Sequence, residues 1–287
     1  MESLLKLEHV TICYNGEPVV HDVDLELNKG EILGVVGESG SGKSTIIKAI
    51  MGLLGNEGMV TEGDIWYKGK NVVDMPEKEL RRLLGPEIAM VFQDSGAALC
   101  PIRTVGDQIY ESMREHERIS RKECAERAVR MMAKIGLKDG ERVLQSYPFE
   151  LSGGQKRRAA IAGVIAMNPK VLILDEPTAG LDPKGRDELF DLIRELHEKM
   201  DMTVLLVSHS MEDMANYVQR IVVLNHGTLM LDGTPSEVFS HVQELEQVSL
   251  AAPQVTYLMK DLEKAGFPVD TTVTTIEEAK KEIIKLC

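Results

Sequence analysis

The sequence lacks the features that mark membrane-spanning, secreted and nucleic-acid-binding chains. No apolar run approaches the ~20 residues that a membrane helix needs, and the first residues show no signal-peptide pattern. The formal net charge is −13, whereas a protein that reads a phosphate backbone normally carries a basic face. We therefore expect no nucleic-acid partner, and we expect any membrane contact to be made through other proteins.

Cysteine is also scarce, and this bounds the chemistry further. The four cysteines show neither metal-ligand nor redox spacing, which predicts reduced cytosolic thiols. What the chain does have is size. Its 287 residues, 43% of them hydrophobic, can bury a full α/β core and leave a smaller appended region.

A glycine-rich segment matches the phosphate-loop pattern G-x-x-x-x-G-K-[ST] without a gap. Lys43 supplies a cation to the β- and γ-phosphates of a nucleotide, and the Ser44 hydroxyl is placed to ligate the bridging Mg²⁺. Residues 31–36 predict a buried strand and residues 45–54 a helix, so phosphate would lie at a helix N-terminus. Three glycines let the backbone turn tightly and bring its N–H groups close to phosphate: Gly37, Gly40 and Gly42.

A second apolar run, residues 171–174, predicts another buried strand and leads into Asp175 and Glu176. Because side chains alternate along a strand, we expect the two carboxylates to point to opposite sides. One would then reach a metal, and the other would face the γ-phosphate and the attacking water. Two acids at a strand end can also be merely solvated, but the segment that follows, residues 177–182, favours the catalytic interpretation.

The chain resembles the nucleotide-binding subunits of ATP-binding-cassette transporters over nearly all its length. Six motifs occur in that family's order. They are the Walker A loop (Gly37, Glu38, Ser39, Gly40, Ser41, Gly42, Lys43, Ser44, Thr45), the Q-loop Gln93, the signature (Leu151, Ser152, Gly153, Gly154, Gln155), the Walker B strand (residues 171–176), the D-loop (residues 179–182) and the switch His209. Tyr14 falls where the family has an aromatic residue that stacks on adenine, although a lone tyrosine near a chain start more often packs.

The resemblance implies ATP as the nucleotide, Mg²⁺ as the cofactor and hydrolysis as the reaction. Glu176 would polarise the hydrolytic water, and His209 would contact the γ-phosphate. Gln93 would sense the metal and the water, and it joins Ser44 and Asp175 as a candidate metal ligand. Phosphoryl transfer asks mostly for positioning and charge neutralisation, which these groups supply.

The signature segment implies, through the resemblance, that the chain works with a second ATPase subunit. In the family, the segment Ser152, Gly153, Gly154 and Gln155 closes on the nucleotide held by a second subunit, so the resemblance implies a dimer of ATPases with two nucleotides between them. The three basic residues that follow are interpreted as a solvated or interface face rather than a nucleic-acid patch: Lys156, Arg157 and Arg158.

The predicted fold class is α/β, a P-loop NTPase core with a mixed sheet, an antiparallel β subdomain, an inserted helical subdomain and a small C-terminal extension. Residues 1–233 would form the nucleotide-binding domain, with the helical subdomain at about 97–165, and residues 234–287 the extension. That extension is expected to regulate or to enlarge the dimer contact, and capping boxes at Thr234 and Thr275 predict helices in it.

Two segments of the helical subdomain have the clearest helical spacing, residues 105–114 and 121–135. A further helix should begin at Asp182 and Pro183. Its predicted buried face comprises Leu189, Ile193, Leu196 and Met200.

The subfamily signals divide between two kinds of importer. The first half resembles ATPases of peptide and nickel importers, whereas the second half, including residues 208–253, resembles those of energy-coupling-factor importers of vitamins, cobalt or nickel. Ser95 and Cys100 depart from the peptide-importer pattern, so we favour energy coupling and keep peptide or nickel import as the alternative. A natural mosaic and a fused chain would each explain the split.

Two other classes compete with transport. A non-transport relative in DNA repair, chromosome organisation or translation would carry long insertions, zinc modules or two cassettes, whereas this chain has one cassette. A regulatory ATP binder would have lost Glu176 or His209, and both are present. We therefore expect a hydrolytic subunit that lies peripherally on the cytoplasmic face of the membrane and works with integral membrane transporter subunits.

Overall fold

The structure is a computed structural model that describes residues 2–93 and 98–286. The chain divides into two compact units. The first combines Met1–Val73 with Leu205–Cys287, and the second is Asp74–Val204. Residues 234–287 fall within the first unit, and the domain boundary at residue 233 stays a prediction.

The described residues form both strands and helices. The strands are β1 (Ser3–Tyr14), β2 (Glu17–Asn28), β3 (Ile32–Gly37), β4 (Gly58–Tyr67), β5 (Lys70–Asn71), β6 (Ile88–Val91), β7 (Val171–Asp175), β8 (Thr203–Val207), β9 (Arg220–Asn225) and β10 (Thr228–Gly233). The helices are α1 (Lys43–Ile50), α2 (Glu77–Leu83), α3 (Val105–His116), α4 (Arg121–Lys134), α5 (Gly140–Gln145), α6 (Gly153–Ala166), α7 (Pro183–Met200), α8 (Met211–Tyr217), α9 (Pro235–Ser240), α10 (Val242–Gln247), α11 (Gln254–Lys264) and α12 (Ile276–Ile284).

The first unit contains an antiparallel sheet with the strand order β2-β1-β4-β5. Asn15 and Gly16 join β1 to β2, and both have left-handed backbones, with φ of 50° and 84°. A two-residue hairpin turn of the I′ type requires positive φ at both positions, which is why Asn-Gly is favoured there. Tyr14 pairs with Glu17 across the turn, so the Asn-Gly pair fixes the register at the end of β1.

The same sheet has β-bulges near the middle of β1. His9 and Asp22 have left-handed backbones, with φ of 51° and 47°, and the register of β1 shifts against both of its neighbours in this region. His9 Nδ1 lies 2.9 Å from Asp22 Oδ1 and 3.5 Å from Asp24 Oδ2. The hydrogen bond to Asp22 and then the charge of Asp24 raise the pKa of His9. The bulges thus turn an exposed histidine toward two carboxylates.

The first unit also contains strands of a mixed sheet, in the order β10-β9-β3-β8. β3 runs parallel to β9, with Gly37 opposite Leu224, and β9 runs antiparallel to β10. Every residue of β3 is buried, as expected for a strand covered on both faces. The strand predicted at residues 31–36 is therefore confirmed with a shift of one residue.

The second unit combines the parallel pair β6 and β7 with a group of helices. α3 and α4 confirm the two helices predicted at residues 105–114 and 121–135. Gly163 of α6 lets α3 approach closely, because a Cβ there would lie 3.0 Å from Ile109 Cγ1. The predicted start of the helical subdomain, near residue 97, lies outside the described residues, as does Ser95.

α7 begins at Pro183, with Asp182 at the N-cap as predicted, but the Asp182 side chain caps no backbone N–H. Its carboxylate accepts a hydrogen bond from Arg158 Nη2 instead, at 2.8 Å. Met200 is 46% exposed, so its predicted burial is wrong. It is the last residue of the helix, before Asp201 with a φ of 52°. The other three predicted positions are buried: Leu189, Ile193 and Leu196.

The C-terminal helices build a small core of their own. Thr234 and Thr275 form the predicted capping boxes with Glu237 and Glu278 at the starts of α9 and α12. Ser236 Oγ donates to Thr272 O at 2.9 Å, which ties α9 to the segment before α12. The core consists of Val255, Met259, Val273 and Ala279.

Candidate active site

The phosphate loop lies between a buried strand and a helix, as predicted, although the helix begins earlier and ends sooner than its spacing suggested. α1 spans Lys43–Ile50, not residues 45–54. Gly42 is its N-cap, with a left-handed backbone at φ 98°, a conformation that favours glycine. Gly37 is needed for a different reason, since a Cβ there would lie 2.4 Å from Leu224 O and from Ser41 Oγ.

Lys43 folds back over this loop. Its Nζ donates to Gly37 O at 2.7 Å, to Glu38 O at 2.8 Å and to Ser41 Oγ at 3.3 Å. Ser41 is itself buried, and its carbonyl accepts from the N–H of Gly227 at 3.2 Å. The cation therefore lies against the segment whose N–H groups are predicted to hold phosphate, and β9 and its hairpin turn support that segment from behind.

Two other predicted residues belong to the first unit. Tyr14 ends β1 and is partly exposed, and a Cβ on Gly58 would lie 2.7 Å from its Cε1. The ring therefore packs along β4, and its role in adenine binding stays a prediction. His209 follows β8 with one residue between, is exposed, and precedes Ser210, the N-cap of α8. This is the carboxyl end of a strand, where ligands of α/β proteins collect.

The acidic pair lies in the second unit and is arranged differently from the prediction. Asp175 is the last residue of β7 and is 7% exposed. Glu176 lies beyond the strand and has a left-handed backbone with φ 49°. The sequence suggested that strand alternation sets the relative directions of the two side chains. It does not, because Glu176 is not part of the strand. A turn at Glu176 sets the direction of its carboxylate instead.

Gln93 lies two residues after β6 and is exposed. It is the last described residue before the gap at residues 94–97. Its predicted contacts with metal and water stay predictions.

The signature opens α6 as a capping box. Ser152 Oγ accepts from the N–H of Gln155 at 3.3 Å, and Gln155 Oε1 accepts from the N–H of Ser152 at 3.0 Å. Gly153 and Gly154 occupy the first turn of α6, and no described atom lies within 4 Å of a Cβ built on either. Glycine destabilises a helix by ~1 kcal/mol relative to alanine. Since packing within the described chain does not require these glycines, they leave open space at the helix start.

The basic run after the signature makes contacts that sequence reasoning missed. Arg157 is half-buried and donates to the backbone carbonyls of Glu176, Pro177 and Ala179. Arg158 holds the Asp182 carboxylate. Three basic residues in a row gave no indication of which would face inward, because that depends on where the turn after β7 lies.

Outside these motifs, one further cluster has metal-ligand types. Among residues 2–93 and 98–286, His9, Asp22 and Asp24 are the group of three such side chains that come within 4.8 Å of one another. All three are exposed, and their mutual hydrogen bonding explains their proximity. They are not residues predicted to hold Mg²⁺.

A phosphate loop between a buried strand, here β3, and a helix, here α1, is the mark of P-loop nucleoside triphosphatases. The family described as ABC transporter matches residues 20–179. The chain belongs to this family and is an ATPase. Its match includes the Walker A loop, Gln93, the signature and the Walker B residues.

Relatives match the chain nearly from end to end. The energy-coupling factor transporter ATP-binding protein EcfA2 of Clostridium tetani is 46% identical, over 98% of this chain and 96% of the relative. EcfA2 of Caldanaerobacter subterraneus is 40% identical over the same shares. These alignments run through both halves of the chain, including the half that resembles peptide-importer ATPases.

Solved structures give the same picture. A dimeric structure of the ATP-binding cassette MJ0796, bound to ADP and Pi, has a TM-score of 0.73 and 29% identity. It covers 81% of this chain and 99% of that chain. CbiO1 of Clostridium perfringens, part of the ABC transporter complex cbiONQ, has a TM-score of 0.70 and 30% identity, and covers 91% of this chain and 100% of that chain.

Proposed function

We propose that this chain is the ATP-hydrolysing subunit of an energy-coupling-factor importer, which takes up a vitamin, cobalt or nickel. The observation that carries the proposal is the 46% identity to an EcfA2 protein over 98% of the chain. A likeness confined to the cassette would fit any importer. This one extends through the C-terminal helices α9 to α12, which lie outside the six nucleotide motifs.

The proposed hydrolysis assigns each residue a physical task. The N–H groups of residues 38–45 and the Lys43 ammonium would neutralise the triphosphate, and His209 would contact its terminal phosphate. Tyr14 would stack on the adenine. Glu176 would accept a proton from the attacking water, and Gln93 would help to hold that water.

Mg²⁺ fits the donor set on chemical grounds. It prefers oxygen ligands and usually keeps several waters. The Ser44 hydroxyl, the amide oxygen of Gln93 and the buried carboxylate of Asp175 are donors of this kind. When bound, the ion would neutralise charge that develops on the phosphate oxygens.

We propose further that two ATPase subunits together complete each site. The open space at Gly153 and Gly154 supports this, because an approaching nucleotide needs that room and the chain's own packing does not. Ser152 and Gln155 hold the first turn of α6 in place. The likeness to a dimeric cassette bound to ADP and Pi points the same way. The partner could be an identical copy or a paralogue.

The C-terminal extension, residues 234–287, is proposed to enlarge the contact between subunits. It exposes four large apolar side chains outside its own core: Leu258, Phe267, Ile276 and Ile284. Exposed apolar side chains mark an interaction site where they form a contiguous patch, so the proposal requires that these residues act together.

We expect Leu258→Glu and Ile284→Glu each to weaken ATP-dependent dimerisation about tenfold or more, since a charge would be desolvated in the contact. ATP affinity should be unchanged. Met200→Glu is the matched control, because Met200 is 46% exposed, close to the 48% of Leu258, but lies at the end of α7. Light scattering on a size-exclusion column measures the dimer. Equal dimerisation of all three variants and the wild type would reject this role.

Truncation after Phe239 is a poorer test of the extension, because it cuts within α9 and removes the small core of the C-terminal helices.

Membrane partners are part of the proposal. Within residues 2–93 and 98–286, every helix is too short or too polar to span a bilayer. We propose that the chain attaches to the cytoplasmic face of the membrane by binding integral membrane subunits of the importer.

Reconstitution tests the importer assignment. The chain would be purified with the membrane proteins and second ATPase encoded beside its gene, inserted into liposomes, and supplied with ATP and labelled riboflavin, folate, Co²⁺ or Ni²⁺. We expect ATP-dependent uptake of one of these solutes, abolished by Glu176→Gln. Uptake that requires an extracellular solute-binding protein would favour peptide or nickel import. ATPase activity stimulated by DNA or ribosomes, without uptake, would reject transport.

A further inference from the structure

The backbone of Glu176 is in an unfavourable conformation. Its φ is 49°, a region that residues other than glycine adopt infrequently. Glu176 also precedes Pro177, and the residue before a proline is normally confined to extended conformations. Such strain persists only where the surrounding structure over-determines it, and it collects at functional sites.

The side chain of Arg157 contacts the turn that contains this strain. All three guanidinium nitrogens of Arg157 donate to backbone carbonyls of the turn: Nε to Pro177 O at 3.0 Å, Nη2 to Glu176 O and Nη1 to Ala179 O. Hydrogen bonds from a charged donor are about twice as strong as neutral ones, and the planar guanidinium fixes the relative directions of its acceptors. The Glu176 carbonyl also accepts from the N–H of Ala179 at 3.2 Å.

The far end of the same turn is held by the next residue of α6. Arg158 Nη2 donates to the Asp182 carboxylate at 2.8 Å. Arg157 therefore fixes the peptide units that leave Glu176, while Arg158 fixes the turn where it enters α7. The direction of the Glu176 carboxylate follows from its backbone, because the side chain leaves the Cα whose carbonyl Arg157 holds.

We propose that Arg157 is a positioning residue for hydrolysis, which keeps Glu176 in its left-handed conformation and so aims the carboxylate at the water. This rests on the proposed role of Glu176 as general base. Arg157 touches neither nucleotide nor water in this assignment. It acts through the carbonyls of Glu176, Pro177 and Ala179.

The test uses Arg157→Gln, Arg157→Lys and a control one residue away, Lys156→Gln, which removes the same charge from the same helix. We expect Arg157→Gln to lower the kcat for ATP about 10- to 100-fold, the size of effect that a misplacement of about 1 Å produces. The Kd for ATP should stay within about twofold, since Arg157 is not among the residues proposed to hold the triphosphate. Arg157→Lys should be intermediate, because a lysine supplies charge but not three fixed donors. Lys156→Gln should retain wild-type kcat.

A double-mutant cycle separates positioning from general support of the fold. If Arg157 acts through the Glu176 carboxylate, Arg157→Gln should have no further effect on the residual kcat once Glu176 is replaced by Gln. Multiplied losses in the double variant would overturn the proposal, and so would a wild-type kcat in Arg157→Gln. Wild-type turnover in Glu176→Gln alone would instead reject the general-base assignment. Thermal melts of all variants identify any that fail to fold, and Arg157→Lys then carries the comparison.

Discussion

Replacing Glu176 with Gln is expected to lower ATP turnover by about 10²- to 10⁴-fold, the contribution typical of a positioned general base. The amide of Gln keeps the size and hydrogen-bonding reach of the carboxylate but cannot accept the proton of the attacking water. The substitution leaves every residue of the phosphate loop in place, including Gly42, Lys43 and Ser44. ATP affinity should therefore be retained, and an ATP-bound dimer should accumulate.

Phosphate release measures the turnover, and equilibrium binding of a fluorescent ATP analogue measures affinity. Glu198→Gln is the control, because Glu198 is an exposed acid on α7 and undergoes the same isosteric change. Turnover near wild type in Glu176→Gln would show that another group activates the water. Loss of ATP binding would show that Glu176 supports the nucleotide site rather than the chemistry.

The sequence predicted the parts of the fold that depend on local patterns. The strand predicted at residues 171–174 is β7, Val171–Asp175, because an uninterrupted apolar run of this length is typical of a strand buried on both faces. The capping boxes at Thr234 and Thr275 were equally secure, since they require only a hydroxyl and a carboxylate three residues apart.

Helix ends were harder to predict. The start of α1 at Lys43 depends on Gly42 adopting a left-handed N-cap without a side-chain hydrogen bond, and hydrophobic spacing does not report that. Met200 has the right spacing for the buried face of α7 but lies on its last turn, where the helix extends past the core. In both cases a tertiary boundary, rather than periodicity, set the limit.

The candidate site shows the same division. Motif spacing made Lys43, Asp175, Glu176, His209 and the signature candidates, because each motif is short and continuous, and their roles stay predictions. The prediction from strand alternation does not apply to Glu176, because β7 ends at Asp175. The turn beyond the strand is held by hydrogen bonds between residues 19 to 22 positions apart in sequence, which local patterns do not report. No sequence pattern indicates the contacts of Arg157, because the left-handed backbone of Glu176 before Pro177 is seen only in the structure.

The other large effect concerns Lys43. Lys43→Ala is expected to weaken ATP binding about 100-fold, because hydrogen bonds to charged groups contribute roughly 1.5–3 kcal/mol each and tenfold in affinity corresponds to about 1.4 kcal/mol. Two losses combine here. The ammonium no longer neutralises phosphate, and the loop no longer has the hydrogen bonds from Nζ to Gly37 O and Glu38 O.

The loss of the hydrogen bonds within the loop can be measured separately from the loss of phosphate neutralisation. Since Lys43 Nζ lies over its own loop, part of the effect of Lys43→Ala should appear as faster amide exchange of residues 38–42 without nucleotide. Lys48→Ala is the matched control, because Lys48 is an exposed lysine in the last turn of the same helix. It should change neither ATP affinity nor exchange. ATP binding is measured by calorimetry on a variant shown to be as fully folded as the wild type. Unchanged binding in Lys43→Ala would contradict the phosphate-loop assignment on which the proposed hydrolysis depends.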